Sequence, residues 1–132
     1  MMSDLHKACK PYIEAVAAEF DLTPQQAWAL KQLSTDRPRA MSDLAEALMC
    51  DASSVTWIVD RLEGRGLVER RSLEHDRRVK ALIVTKEGAT LQRRLFARMM
   101  QPPPAIANLS REDQRALRDI LRRAIDSLDA EA

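Results

Sequence analysis

Apolar residues recur at helical spacing from Leu5 to Phe20, with Ala8, Tyr12, Ala15, Val16 and Phe20 on one side. Pro11 lies inside this segment, so the spacing predicts a helix that starts near Lys10 or kinks there. Thr23-Pro24-Gln25-Gln26 predicts the next start: an N-cap threonine, proline at the first helical position and glutamine three after the cap. That helix reaches about Leu33, and Ser34 to Arg39 reads as a turn. Ser42 is the expected cap of a short helix through Met49. Asp51 caps another through about Glu63, closed by Gly64 and Gly66. The period then changes. Leu67 to Arg71 and Val79 to Val84 read as two strands around the polar stretch Ser72 to Arg78. Thr85 caps a helix to Met100 that stops at Pro102-Pro103-Pro104. Ser110 opens the last helix, whose Leu117, Ile120, Leu121, Ala124, Ile125 and Leu128 form one stripe. The expected layout is six helices with one hairpin after the fourth.

Composition narrows the class. The chain has 132 residues, near the ~150 typical of one domain. Apolar residues are 45% and charged residues 31%, an ordinary globular balance. Apolar runs never exceed four residues, and the first 25 residues lack a signal-like stretch, so the expectation is a cytoplasmic protein with no membrane span. Cys9 and Cys50 are too few for a disulfide scaffold, and two histidines leave little for a metal site. No Gly-rich phosphate loop, nucleophile elbow or ligand-spaced carboxylate cluster is present, so neither an enzyme nor a cofactor is expected. Net charge is only +1, but residues 61–100 hold 11 basic against 5 acidic side chains, while residues 1–60 hold 5 against 9. Such a basic block suits either a solvated face or a polyanion partner.

Met41 to Leu62 carries the most specific signal. Counted from Met41, Ala45 is the small fifth residue that lets two helices touch, and Leu44, Leu48, Cys50, Val55 and Ile58 fill inward positions. This is the pattern of a helix-turn-helix, although any two packed short helices share part of it. The ninth position, where a positive φ favours glycine, is Met49, at a cost on the order of 1 kcal/mol. The hairpin that follows, with Asp76-Arg77-Arg78 at its tip, reads as a wing. Arginine is the side chain that meets the strong negative potential of a narrow minor groove. Arg70, Arg71, Lys80 and Lys86 flank that tip and suit phosphates.

With Leu22-Thr23-Pro24-Gln25, Ser42-Asp43-Leu44-Ala45, Val59 to Arg70 and Asp76-Arg77-Arg78 through Gly88 in this order, the sequence resembles the MarR (multiple-antibiotic-resistance regulator) family of winged-helix transcription factors. The resemblance implies a mainly α fold with a small β-hairpin wing, a winged helix-turn-helix dimerised through its N- and C-terminal helices. In this chain that means one domain over residues 1–132. Residues 1–21 and 101–132 supply the dimerisation helices, and residues 22–100 the DNA-binding lobe and connecting helix. It further implies a homodimer on double-stranded DNA at a pseudo-palindromic operator, repression of nearby genes, and release by a small aromatic or phenolic ligand.

Individual residues follow from these readings. Val55, Ile58, Val59 and Leu62 form the buried stripe of the recognition helix. Ser53, Ser54, Thr56, Trp57 and Arg61 lie off it and are candidate DNA contacts, with Arg77 and Arg78 at the wing and Asp76 orienting it. Asp60 repels phosphate and is expected to hold a nearby arginine; Arg61 suits either DNA or an ion pair with its acidic neighbours. Trp57 lies about 150° from the centre of the buried stripe, free to meet DNA or to fold over Arg61. Tyr12, Trp28 and Met99 are candidate ligand-pocket residues or plain core. Cys9, between Lys7 and Lys10, is the candidate redox thiol, and Cys50 reads as core. His6 and His75 read as surface. Two alternatives therefore stand beside the DNA-binding regulator: a thiol-based redox sensor of the same fold, and a winged-helix dimer that binds a protein partner.

Overall fold

Local capping fixes most of the helix starts in the computed structural model, which describes residues 1–131. Helix α1 (Met2–Ala18) is followed by α2 (Pro24–Gln32), whose capping box is complete: the Thr23 hydroxyl accepts the Gln26 N–H at 3.2 Å, and the Gln26 side chain accepts the Thr23 N–H at 3.1 Å. Strand β1 (Arg39–Ala40) leads into α3 (Met41–Leu48), then α4 (Ala52–Gly64), β2 (Val68–Ser72), β3 (Lys80–Val84) and α5 (Lys86–Met99). The four-residue α6 (Pro104–Ala107) precedes α7 (Arg111–Glu131), which the Ser110 hydroxyl caps through the Asp113 N–H at 3.1 Å.

Four expectations are corrected. The first helix begins at Met2 and carries Pro11 inside it; a proline there forfeits one backbone bond without ending the helix. The expected turn before the third helix contains β1, which pairs with β3 through Arg39↔Leu82 and Ala40↔Ala81. Because Ala40 is held extended by that pairing, α3 starts directly at Met41, and its N-cap is Ala40, not Ser42. The triple proline is followed by a further short helix, because proline favours the first helical turn, where its missing N–H costs nothing.

The sheet is antiparallel with order β1-β3-β2, and β2 meets β3 in register from Val68↔Val84 to Ser72↔Lys80. Two compact units result, one of Met1–Lys10 with the chain from Gln101 onward, the other of Pro11–Met100. In the larger unit Leu30, Leu44, Ile58, Leu62, Leu82 and Leu95 are almost fully buried and tie α2, α3, α4, β3 and α5 to one core. The end of α2 is satisfied from outside the helix. Gln92 of α5 donates to the carbonyls of Leu30 and Leu33 at 2.8 and 2.9 Å, and Arg39 donates to that of Gln32 at 2.9 Å.

Candidate nucleic-acid interface

The turn between α3 and α4 has the geometry its spacing requires. Met49 adopts φ 51 and ψ 41, the left-handed conformation, and its N–H and that of Cys50 close the end of α3 on Glu46 and Ala45, each at 3.0 Å. The Met49 side chain is 94% exposed, so nothing is gained by packing it. Cys50 is half-buried against the core, its thiol directed at the Leu48 carbonyl at 3.3 Å.

Helix α4 buries Val55, Ile58, Val59 and Leu62 and exposes Ser53, Ser54, Thr56, Trp57, Asp60 and Arg61. Asp51 caps it, accepting the Ser54 N–H at 2.7 Å and the Ser53 hydroxyl at 2.8 Å. These bonds, the Ser54 N–H first, hold its carboxyl below the ordinary carboxylate range. The Thr56 hydroxyl donates to the Ala52 carbonyl at 2.8 Å. Ser53 and Thr56 therefore have their donors engaged and face outward as acceptors. The Asp51 carboxylate also occupies the positive end of α4, which disfavours a second anion there.

Trp57 is 49% exposed, and the Arg61 guanidinium lies 5.2 Å from its ring centroid, so the tryptophan does fold over Arg61. The pair borders an open groove of about 790 Å³ whose other wall includes Leu22, Thr23 and Gln26. Arg61 does not take the acidic neighbours. Asp60 and Glu63 are instead bridged by Arg70 of β2, at 2.5 Å and 2.6 Å, and Glu63 also accepts the Arg70 backbone N–H at 3.2 Å. This pairing, with the Asp60 hydrogen bond leading, raises the guanidinium above its ordinary range. Asp60 thus holds an arginine, as its position predicts. That the arginine is Arg70 depends on where β2 returns against α4. The sequence signal is an i, i+3 acidic pair off the buried stripe and an arginine sharing the face of buried Val68.

At the wing, the Asp76 side chain accepts the Arg78 N–H at 2.9 Å, and its carbonyl accepts the Val79 N–H at 3.2 Å. The turn is held by main-chain donors, and Arg77 and Arg78 stand exposed at its tip. Of the flanking cations, Arg71 pairs with Glu69 and Lys80 donates to the Ser72 hydroxyl at 3.1 Å, while Lys86 is exposed at the first residue of α5.

Tyr12, Trp28 and Met99 come together around a cavity of about 100 Å³, with Val16, Ala27 and Leu95. At its rim Arg98 donates to the Tyr12 hydroxyl at 2.7 Å and grips Glu19 at 2.9 Å, a contact that sequence reading alone does not suggest. Trp28 is 43% exposed, with the Lys31 ammonium 4.7 Å from its ring. Cys9 is half-buried on α1. Among the described residues no group of three or more potential ligands is placed to hold a metal ion, and no helix is long and apolar enough to cross a membrane.

Residues 22–80 match the model of the MarR family. The HTH-type transcriptional repressor MdtR of Bacillus subtilis (strain 168) is 30% identical over 95 residues, covering 67% of this chain and 61% of that protein. The chain therefore spans about three-fifths of the length of that relative. The organic hydroperoxide resistance transcriptional regulator of the same organism is 26% identical over 128 residues, 95% of this chain and 82% of that one. In fold, the crystal structure of a mutant MarR from E. coli aligns with a TM-score of 0.86 at 20% identity, over 94% of this chain and 93% of that one.

Proposed function

Because the chain belongs to the MarR family, with the matching domain at residues 22–80, we propose that it is a sequence-specific, DNA-binding transcriptional regulator. The observation that carries this reading is the joint exposure of the polar face of α4 and of Arg77 and Arg78 at the wing tip, on elements tied together by Arg70. In this reading α4 enters a major groove, where Ser53, Ser54, Thr56, Trp57 and Arg61 face base edges and sugars. The wing arginines meet the adjacent minor groove, and Asp76 keeps their turn in shape. The protein acts in the cytoplasm as a repressor of nearby genes, and an aromatic or phenolic ligand held by Tyr12, Trp28 and Met99 releases it.

The active form is a homodimer. Helix α7 leaves Ile120, Ile125 and Leu128 more than half exposed, beside an apolar groove that includes Leu5, Ile106 and Leu117. Two copies related by a two-fold axis would cover this apolar face. The operator is then pseudo-palindromic, with half-sites about one helical turn apart.

A mobility shift with the region upstream of the chain's own reading frame tests the proposal; no retardation of that fragment or of a pool of genomic fragments refutes it. Arg78→Ala is expected to weaken operator binding about tenfold and to lower the slope of log affinity against log salt by about 1, as for one lost phosphate-equivalent contact. Equal affinities and slopes for Arg77→Ala, Arg78→Ala and the parent would remove the wing from the interface. Trp57 is expected to report on DNA directly. In a Trp28→Phe background, saturating operator should quench or shift its emission. An unchanged spectrum with normal binding by Trp57→Ala would leave Trp57 as no more than the partner of Arg61.

A further inference from the structure

We propose that Arg70 is a positioning residue for DNA recognition, setting the wing at the angle to the recognition helix that both grooves require. The inference rests on the DNA-binding reading above and adds to it a residue that touches no DNA.

Three features support it. The first is the face Arg70 occupies. Side chains alternate along a strand, so Arg70 shares the α4-facing side of β2 with Val68, which is 1% exposed. Beyond Val68 the apolar packing between wing and helix ends, and the next residue on that face is Arg70. The second is the fork. One guanidinium nitrogen reaches Asp60 at 2.5 Å, another reaches Glu63 at 2.6 Å, and the main-chain N–H of the same residue reaches Glu63 at 3.2 Å. Two carboxylates on successive turns of α4 and three donors of one strand residue define an orientation, which a single contact cannot.

The third is leverage. Beyond Arg70 the wing is carried by the ladder with β3, through Arg71↔Ala81, Ser72↔Lys80 and the Leu73 N–H on the Val79 carbonyl, so strand rise from Arg70 to Leu73 makes an arm of roughly 10 Å before the turn. A tilt of about 10° at its base then displaces the far end of that arm by roughly 2 Å, and the tip by more, which is more than a hydrogen bond tolerates. Asp60 also lies on the exposed face of α4 beside Trp57 and Arg61, so the same pairing neutralises a carboxylate that would otherwise face phosphates.

Position and charge make opposite predictions, and this decides the experiment. If Arg70 sets the wing, Arg70→Gln weakens operator binding and the two sites couple: Arg78→Ala costs about fivefold less in that background than in the parent. Arg70→Lys restores charge but not the fork, so the coupling stays lost. Asp60→Asn, which removes a negative charge next to DNA, weakens binding. If Arg70 acts by charge alone, Arg70→Lys restores binding, the cycle with Arg78→Ala is additive and Asp60→Asn binds more tightly; any of these results overturns the proposal.

Hydrogen exchange on the free protein supplies an arm that needs no DNA. In Arg70→Gln, and in Glu63→Gln should the former fold poorly, the amides of Leu73 and Val79 should exchange faster while those of Leu30 and Leu95 keep their protection. Unchanged wing exchange overturns the proposal even if no operator is found, whereas a parent protein that binds no DNA refutes the regulator reading by a separate measurement.

Discussion

Gly88→Ala should be the most damaging single-methyl change in the chain, costing about 3 kcal/mol and lowering the midpoint of thermal unfolding by roughly 10 °C. A Cβ at this position would stand 1.9 Å from the carbonyl oxygen of Leu67 and 2.8 Å from a methyl carbon of Val84. Neither neighbour is free to retreat. The Leu67 carbonyl already accepts the Thr85 N–H at 3.0 Å, and the Thr85 hydroxyl donates to the Gly66 carbonyl at 2.5 Å while accepting the Gly88 N–H at 3.0 Å. The start of α5, the end of β3 and the chain leaving α4 meet in this notch, so an added methyl must part at least two of them. Gly64→Ala is the matched control. Its Cβ meets nothing within 4 Å and the residue is helical, so it should raise stability by about 0.5–1 kcal/mol. Urea or thermal unfolding of the two variants beside the parent checks both signs, and a stable Gly88→Ala would mean that the notch yields.

The second large effect is expected on assembly. Ile125 and Leu128 are 58% and 67% exposed, so Ile125→Glu with Leu128→Glu removes little from the fold of one chain but places two carboxylates where a second copy would pack. Sedimentation at micromolar concentration should shift from dimer to monomer, and the unfolding midpoint should lose its dependence on protein concentration. Operator affinity should fall by about 100-fold or more, because a monomer holds one half-site without the effective concentration that the second supplies. A double variant that sediments like the parent would place the dimer contact elsewhere. A monomeric parent would end the dimer proposal altogether.

How far these features were legible from residue order follows the range of the interactions that make them. Thr23, Asp51 and Thr85 are the caps their positions predict, because a cap is settled within four residues. The buried stripe of α4 and the left-handed Met49 follow in the same way from spacing within one motif. Strand β1 was illegible because two residues carry no period. It exists only through pairing with residues more than forty positions on, and that pairing moved the start of α3 away from Ser42. The role of Asp60 was legible from its charge, but its partner required knowing how the hairpin returns. Arg98 with Tyr12 and Glu19 joins α5 to α1 across some eighty residues, a contact no local pattern announces.

The bond from the Arg70 main chain to Glu63 also bears on how the protein behaves in a crowded solution. β2 is an edge strand, and an edge with free N–H groups is a template on which another chain can add a strand and start to aggregate. In this wing an outward N–H of that edge is already taken by a carboxylate of the same molecule, and Glu69, Arg70 and Arg71 bring charge to each successive position. The opposite edge, β1, is two residues long, too short to seed a ladder. The open edges of this small sheet are thereby kept from recruiting their own kind.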